Sequence, residues 1–166
     1  AFRESAFFLR NKLTTVYKDF NFKPQDLILR FRSGFPFTFS TGDLKEYLST
    51  NLNLNIEFPE HIPGPTSSKG SLTSTNQVYT FDIAEPKGTG KIQLATAVGN
   101  IPESLRNGDV EKGELVVLEI DFASGGVDLP SFANDADFGA WLDSAHALIH
   151  EWFFSLIDGE LYSDFV

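Results

Sequence analysis

The sequence predicts an α+β fold: an antiparallel sheet of about four strands, with a long C-terminal helix and a first helix packed on one face. Three observations carry this. Between Asp135 and Asp158, the residues Phe138, Trp141, Leu142, Ala145, Leu148, Ile149, Trp152, Phe153 and Leu156 recur at spacings of three and four. That spacing makes one wide apolar stripe on a helix, bulky enough to need a sheet beneath it. In ELVVLEIDFAS, Val116, Leu118, Ile120 and Phe122 alternate with Leu115, Val117, Glu119 and Asp121, the period of a strand. The strand-like segments bunch together and are joined by short turns, which favours antiparallel pairing with helices on one face.

In chain order, residues 2 to 20 predict the first helix, with Phe2, Ala6, Leu9, Leu13, Val16 and Phe20 on one face. Lys23-Pro24 ends it, because proline disfavours helix at the preceding residue. In DLILRFRS, Leu27, Leu29 and Phe31 alternate with Ile28, Arg30 and Arg32, and Pro36 confines the continuation to an edge or an extended connection. Thr41 or Asp43 caps a short helix that turns Leu44, Tyr47 and Leu48 inward. NLNLNIEF reads as an extended lead into the PEHIPGP turn, and TSSKGSLTSTN as a mobile loop. Val78–Glu85 and Lys91–Gly99 form a hairpin around PKGTG. After ELVVLEIDFAS, Asn134 or Asp135 caps the long helix and the tail LYSDFV closes the chain. The 166 residues suit one α+β domain over 1–166.

Composition excludes several classes. A net charge of -10 disfavours nucleic acid and anionic membranes as partners, since both repel it. The first 32 residues nevertheless hold Arg3, Arg10, Lys12, Lys18, Lys23, Arg30 and Arg32, a basic fifth on an acidic chain that suits a second subunit or a missing segment. The chain has no cysteine, so disulfides, thiolate metal sites and thiol nucleophiles are out, and a cytoplasmic location is expected. The lack of methionine at Ala1 fits a chain that is part of a longer protein. Dinucleotide, phosphate-loop and nucleophile-elbow motifs are absent from the sequence, and no cofactor is expected.

Three groups of residues can carry function. Asp143, His146 and His150 sit at i, i+3 and i+7 on the edge of the helical stripe, a spacing that can chelate a metal but lacks the glutamate that makes the zinc-protease pattern specific. The plainer role is hydrogen bonding at a helix–sheet seam, so no metal is assigned. Asp82, Glu119 and Asp121 lie on outward strand faces, as an acidic patch or a solvated sheet face. Phe154, Ile157, Tyr162 and Phe165 form a second apolar group, which either folds the tail back over the helix or meets a partner. His61, between prolines, has no catalytic company.

The strand LVVLEIDF followed by FGAWLDSAHALIHEWFFSLI resembles the end of an uncharacterised, sporadically distributed prokaryotic family. Its members finish with a strand bearing LDID or LDFD and a helix of the type LD..H..I...F...I. Leu118, Ile120, Asp121 and Phe122 match the first block, and Leu142, Asp143, His146, Ile149 and Phe153 the second. More loosely, Arg30, Phe31 and Ser33 stand where that family has R.GLRY.N, and GDLKEYL resembles the short helix after it. The resemblance implies that the chain corresponds to the second half of a family member. It implies no activity.

The expected function is a soluble, non-catalytic binding or interaction module that pairs with a protein partner, a missing N-terminal half or another copy of itself. The alternative is a metal-dependent hydrolase using Asp143, His146 and His150 with Asp121. A third possibility is a carrier whose phenylalanine-rich cavity holds a small apolar ligand.

Overall fold

The computed structural model describes residues 2–17, 24–57, 72–101, 112–132, 134–157 and 159–165. Its elements run α1 (Phe2–Val16), β1 (Asp26–Pro36), α2 (Leu44–Asn51), β2 (Asn76–Ile83), β3 (Gly88–Asn100), β4 (Lys112–Gly125), α3 (Asp135–Leu156) and α4 (Gly159–Phe165). The strands form one antiparallel sheet in the order β1-β4-β3-β2, with helices packed against it.

Local chemistry sets the boundaries. Pro36 has no N–H to extend the ladder, and β1 stops there. The Asp43 carboxylate accepts the backbone N–H groups of Lys45 and Glu46 at 2.9 and 3.2 Å, which makes it the cap of α2. Asn134 caps α3 in the same way, accepting the N–H of Ala136 at 2.9 Å. The hairpin turn spans residues 84–87, so Gly88 opens β3 instead of lying in the turn. A side chain at Gly88 would run into the carbonyl oxygen of Ala123 on the neighbouring strand. The tail that closes the chain forms α4. The PEHIPGP turn with His61, and residues 66–71 of the TSSKGSLTSTN loop, lie outside the described residues; the last residue of that loop, Asn76, opens β2.

The chain divides into two compact units, and the division cuts across all four strands and α3. The first unit comprises Ala1–Phe31, Thr80–Lys91 and Asp121–His150; the second comprises Arg32–Tyr79, Ile92–Ile120 and Glu151–Val166.

In the first unit, Phe122 on β4 meets Trp141 on α3 with ring centroids 6.1 Å apart. The Trp141 indole N–H donates to Ser124 Oγ at 2.9 Å, and that hydroxyl donates to the carbonyl of Lys87 at 2.8 Å. Both buried polar groups are thereby satisfied, as burial requires. In the second unit, Phe35, Leu44, Leu48, Leu52, Leu94, Val116, Leu118 and Ile120 are completely buried. Leu115 and Val117, on the opposite face of β4, are buried with Ile101 against Ala97. The face of β4 expected to be the wetter one is thus apolar and enclosed at this end.

The first helix differs most from its expectation. It docks on α3 and the turn before it through Phe7 and Arg10, while Phe2, Leu9, Leu13 and Val16, expected inside, are exposed.

Candidate functional site

Asp121 is buried on β4, and its neighbours on the flanking strands neutralise it. Arg30 Nε and Nη2 donate to its two oxygens at 2.8 and 3.0 Å, and Lys91 Nζ lies 2.9 Å away. Burial pushes its carboxyl up most strongly, yet the hydrogen bonds and charges of Arg30 and Lys91 together outweigh it. The net effect holds Asp121 below the usual carboxylate range. The expected acidic patch is here a satisfied ion-pair triad. Asp82 is exposed on β2, and Glu119 is half-buried on β4.

The helical cluster is placed differently. Asp143 is exposed and pairs with Arg3 Nη1 at 3.2 Å. His146 stacks on Phe2, with centroids 5.3 Å apart and planes 28° from parallel, and lies 6.2 Å from the ring of His150. The end of α1 therefore covers this edge of α3. Among the described residues no group of three or more His, Cys, Asp or Glu side chains is arranged to hold a metal ion. The hydrolase alternative has no assembled donor set there.

In the second unit the tail folds back. Phe165 on α4 packs edge-on against Phe35 and Phe153, at 6.3 and 5.1 Å, and Phe154 packs against Tyr162 at 6.0 Å. Ile157 is buried. Of the four expected interaction residues, only Tyr162 and Phe165 leave substantial surface in water.

Two clefts bear on the carrier expectation. One of about 440 Å³ in the first unit is lined by Asp26, Asp82, Lys87, Thr89 and Asp128 among others. One of about 320 Å³ in the second unit is lined by Arg32, Ser33, Ala97, Asn100, Leu115 and Val117 among others. Both volumes suffice for a small ligand. Neither is lined by phenylalanine, so the expected ring-lined cavity is not what these clefts provide.

The surface that sequence reasoning missed is α1. Arg10 is only 5% exposed, with its guanidinium 5.7, 5.8 and 5.3 Å from the rings of Phe7, Phe132 and Phe138. Its Nε donates to the carbonyl of Phe132 and its Nη1 to Asp135, both at 2.5 Å. A cation stacked on aromatic rings and also hydrogen-bonded is a strong anchor. At Gly139 on α3, an added Cβ would lie 2.9 Å from the Arg3 guanidinium and 3.2 Å from Phe7, so glycine lets the two helices approach. Arginine is rarely buried, and an apolar helical stripe normally points inward; both priors mislead here.

This docking leaves Phe2, Leu9, Leu13 and Val16 between 41 and 65% exposed; Phe8, on a different side of α1, is also exposed under Lys12. No protein family, curated protein or solved structure matches this chain. No described helix is long and apolar enough to cross a membrane.

Proposed function

We propose that this chain is a protein-interaction module without catalytic activity of its own, and that it binds an amphipathic helix laid along the outer face of α1. The observation that supports this most is the fixed orientation of α1. Arg10 and Phe7 hold one side of it, and beyond the Phe2–His146 contact Leu9, Leu13 and Val16 are left exposed. Phe2, Leu9, Leu13 and Val16 expose on the order of 400 Å², which is the size of a functional patch on a monomer. Helix-on-helix recognition uses apolar residues at this spacing. We place the protein in the cytoplasm, in keeping with its lack of cysteine. We retain the resemblance to the prokaryotic family as a working assignment.

A Leu9→Gln/Leu13→Gln variant tests the role. Both leucines are exposed, so the urea midpoint should shift by no more than about 0.5 kcal/mol equivalent. Binding should fall at least tenfold, read by fluorescence anisotropy with a labelled Leu/Glu amphipathic helix and by sedimentation of the chain itself. The interaction role fails if neither measurement detects binding that depends on these leucines. It fails equally if the variant unfolds, because the stripe is then part of the core.

A further inference from the structure

We infer that the cleft of about 320 Å³ in the second unit is a binding site for a small organic carboxylate, with the anionic head on Arg32 and a short apolar body over Leu115 and Val117. The site shares no residue with α1 and does not depend on the interaction role proposed above.

Missing side chains make this cleft. β4 lies between β1 and β3, and Leu115 on β4 is flanked by Gly34 of β1 and Gly99 of β3. A Cβ at Gly34 would lie 3.3 Å from Leu115 Cδ1, and one at Gly99 3.5 Å, so a side chain at either position would crowd the same leucine. Ala97, the next small residue on β3, packs on the buried cluster of Leu115, Val117 and Ile101. Two glycines and a single methyl group thus leave a depression over an apolar floor. Glycine weakens a strand interior, and one of its uses there is to let a ligand approach.

One charge lines the cleft. Arg32 alone among the lining residues is ionised. It stands two residues beyond Arg30 and so shares its face of β1. Arg30 is held by Asp121 at 2.8 and 3.0 Å, whereas Arg32 is exposed and has no ion-pair or hydrogen-bond partner among the described residues. On a chain of net charge -10, a free guanidinium beside an apolar floor selects an anion, and its planar fork matches a carboxylate bidentately. Inorganic phosphate would leave the floor uncovered, so the preferred ligand carries an apolar body. The cleft of the first unit has the opposite character. Asp26, Asp82 and Asp128 line it, and Lys87 is bound to Asp128 at 2.8 Å, so it repels the same ligand.

The volume is at the small end of ligand sites, and the affinity for a six-carbon acid should be modest, with Kd about 0.1–1 mM. The test is a titration of the isotope-labelled chain with hexanoate, followed by amide NMR shifts. The amides of Gly34, Ala97, Gly99 and Leu115 should shift saturably, and those of Asp82, Lys87 and Asp128 should not. Acetate, a head without a body, and hexan-1-ol, a body without a head, should each bind at least tenfold more weakly. Arg32→Gln should weaken hexanoate at least fivefold without altering the rest of the spectrum. Gly99→Val should abolish binding by filling the cleft, since a Cβ there makes an ordinary contact and valine suits a strand. If that variant unfolds, Ala97→Leu takes its place.

The inference is overturned if no saturable shift occurs at these amides up to about 20 mM hexanoate. Full affinity in Arg32→Gln, or equal binding of hexan-1-ol, overturns it as well, because the charge then selects nothing. Shifts as large around Arg3, Lys12 and Lys45 as around the cleft overturn it in favour of adventitious ion binding only.

Discussion

Asp121→Asn should remove the charge at the centre of the Arg30–Asp121–Lys91 triad without changing its size. Three charge-assisted contacts are affected, at 2.8, 3.0 and 2.9 Å. Each such contact contributes about 1.5–3 kcal/mol where both groups are dry. Here Arg30 is about half exposed and Lys91 nearly a third, so the freed cations regain water and most of that sum is recovered. A buried charge left unpaired would cost about 3–5 kcal/mol, which bounds the effect from above. We expect a loss of about 2 kcal/mol at pH 7, or roughly 30-fold in the folding constant. The pH dependence follows from the direction of the shift. The carboxyl is held low in the folded chain, so its contribution is complete above the unfolded value of about 3.9. It disappears as pH falls through the lower folded value. Urea unfolding at pH 7, 5, 4 and 3 reads both effects: Asp121→Asn should lie below the parent at pH 7 and converge with it in acid. Agreement within 0.5 kcal/mol at pH 7, or a constant gap down to pH 3, would refute the triad as a stabilising element.

Three further outcomes are expected. Arg10→Ala removes the guanidinium from its three rings and the hydrogen bond to Phe132, with a loss of about 3 kcal/mol; early hydrogen exchange in α1 should reveal its release. Gly88→Ala presses a methyl group onto the Ala123 carbonyl and should cost about 2–3 kcal/mol by thermal unfolding, whereas Gly126→Ala, with φ near 57° but open space around it, should cost about 1 kcal/mol. Burial pushes the Tyr47 hydroxyl up to about 12. Ultraviolet titration, read as the difference between the parent and Tyr47→Phe, should therefore find the Tyr47 hydroxyl still protonated at pH 11, and stability should fall as pH rises from the unfolded value near 10 towards 12.

The legible parts of this fold are those where periodicity and burial coincide. The stripe of α3 places Phe138, Trp141, Leu142, Ala145, Ile149 and Phe153 inside, and β4 alternates as its sequence implies. Asp121 was only partly legible. Its strand face was readable, but its partners on β1 and β3 are chosen by strand order, which one sequence does not give. Had β1 been placed beside β4, the alternation of Arg30 would have suggested the pair. α1 was misread for a different reason. Its period specifies which residues share a face, and periodicity is indifferent to which face docks. A caged arginine decided that, supported by a glycine on the opposing helix.

The sheet order also bears on how the chain is made. β1 ends at Pro36, but its neighbour β4 begins at Lys112. At a synthesis rate of about 5–20 residues per second, the completed strand waits roughly 4–15 seconds for its partner. During that interval Leu27, Leu29, Phe31 and Phe35 have no ladder to join, and such a segment invites aggregation. Arg30 and Arg32 interrupt it with charge, as gatekeepers do beside apolar strands. The same Arg30 that puts charge into the unpaired strand is the donor to the Asp121 carboxylate once β4 lies beside it.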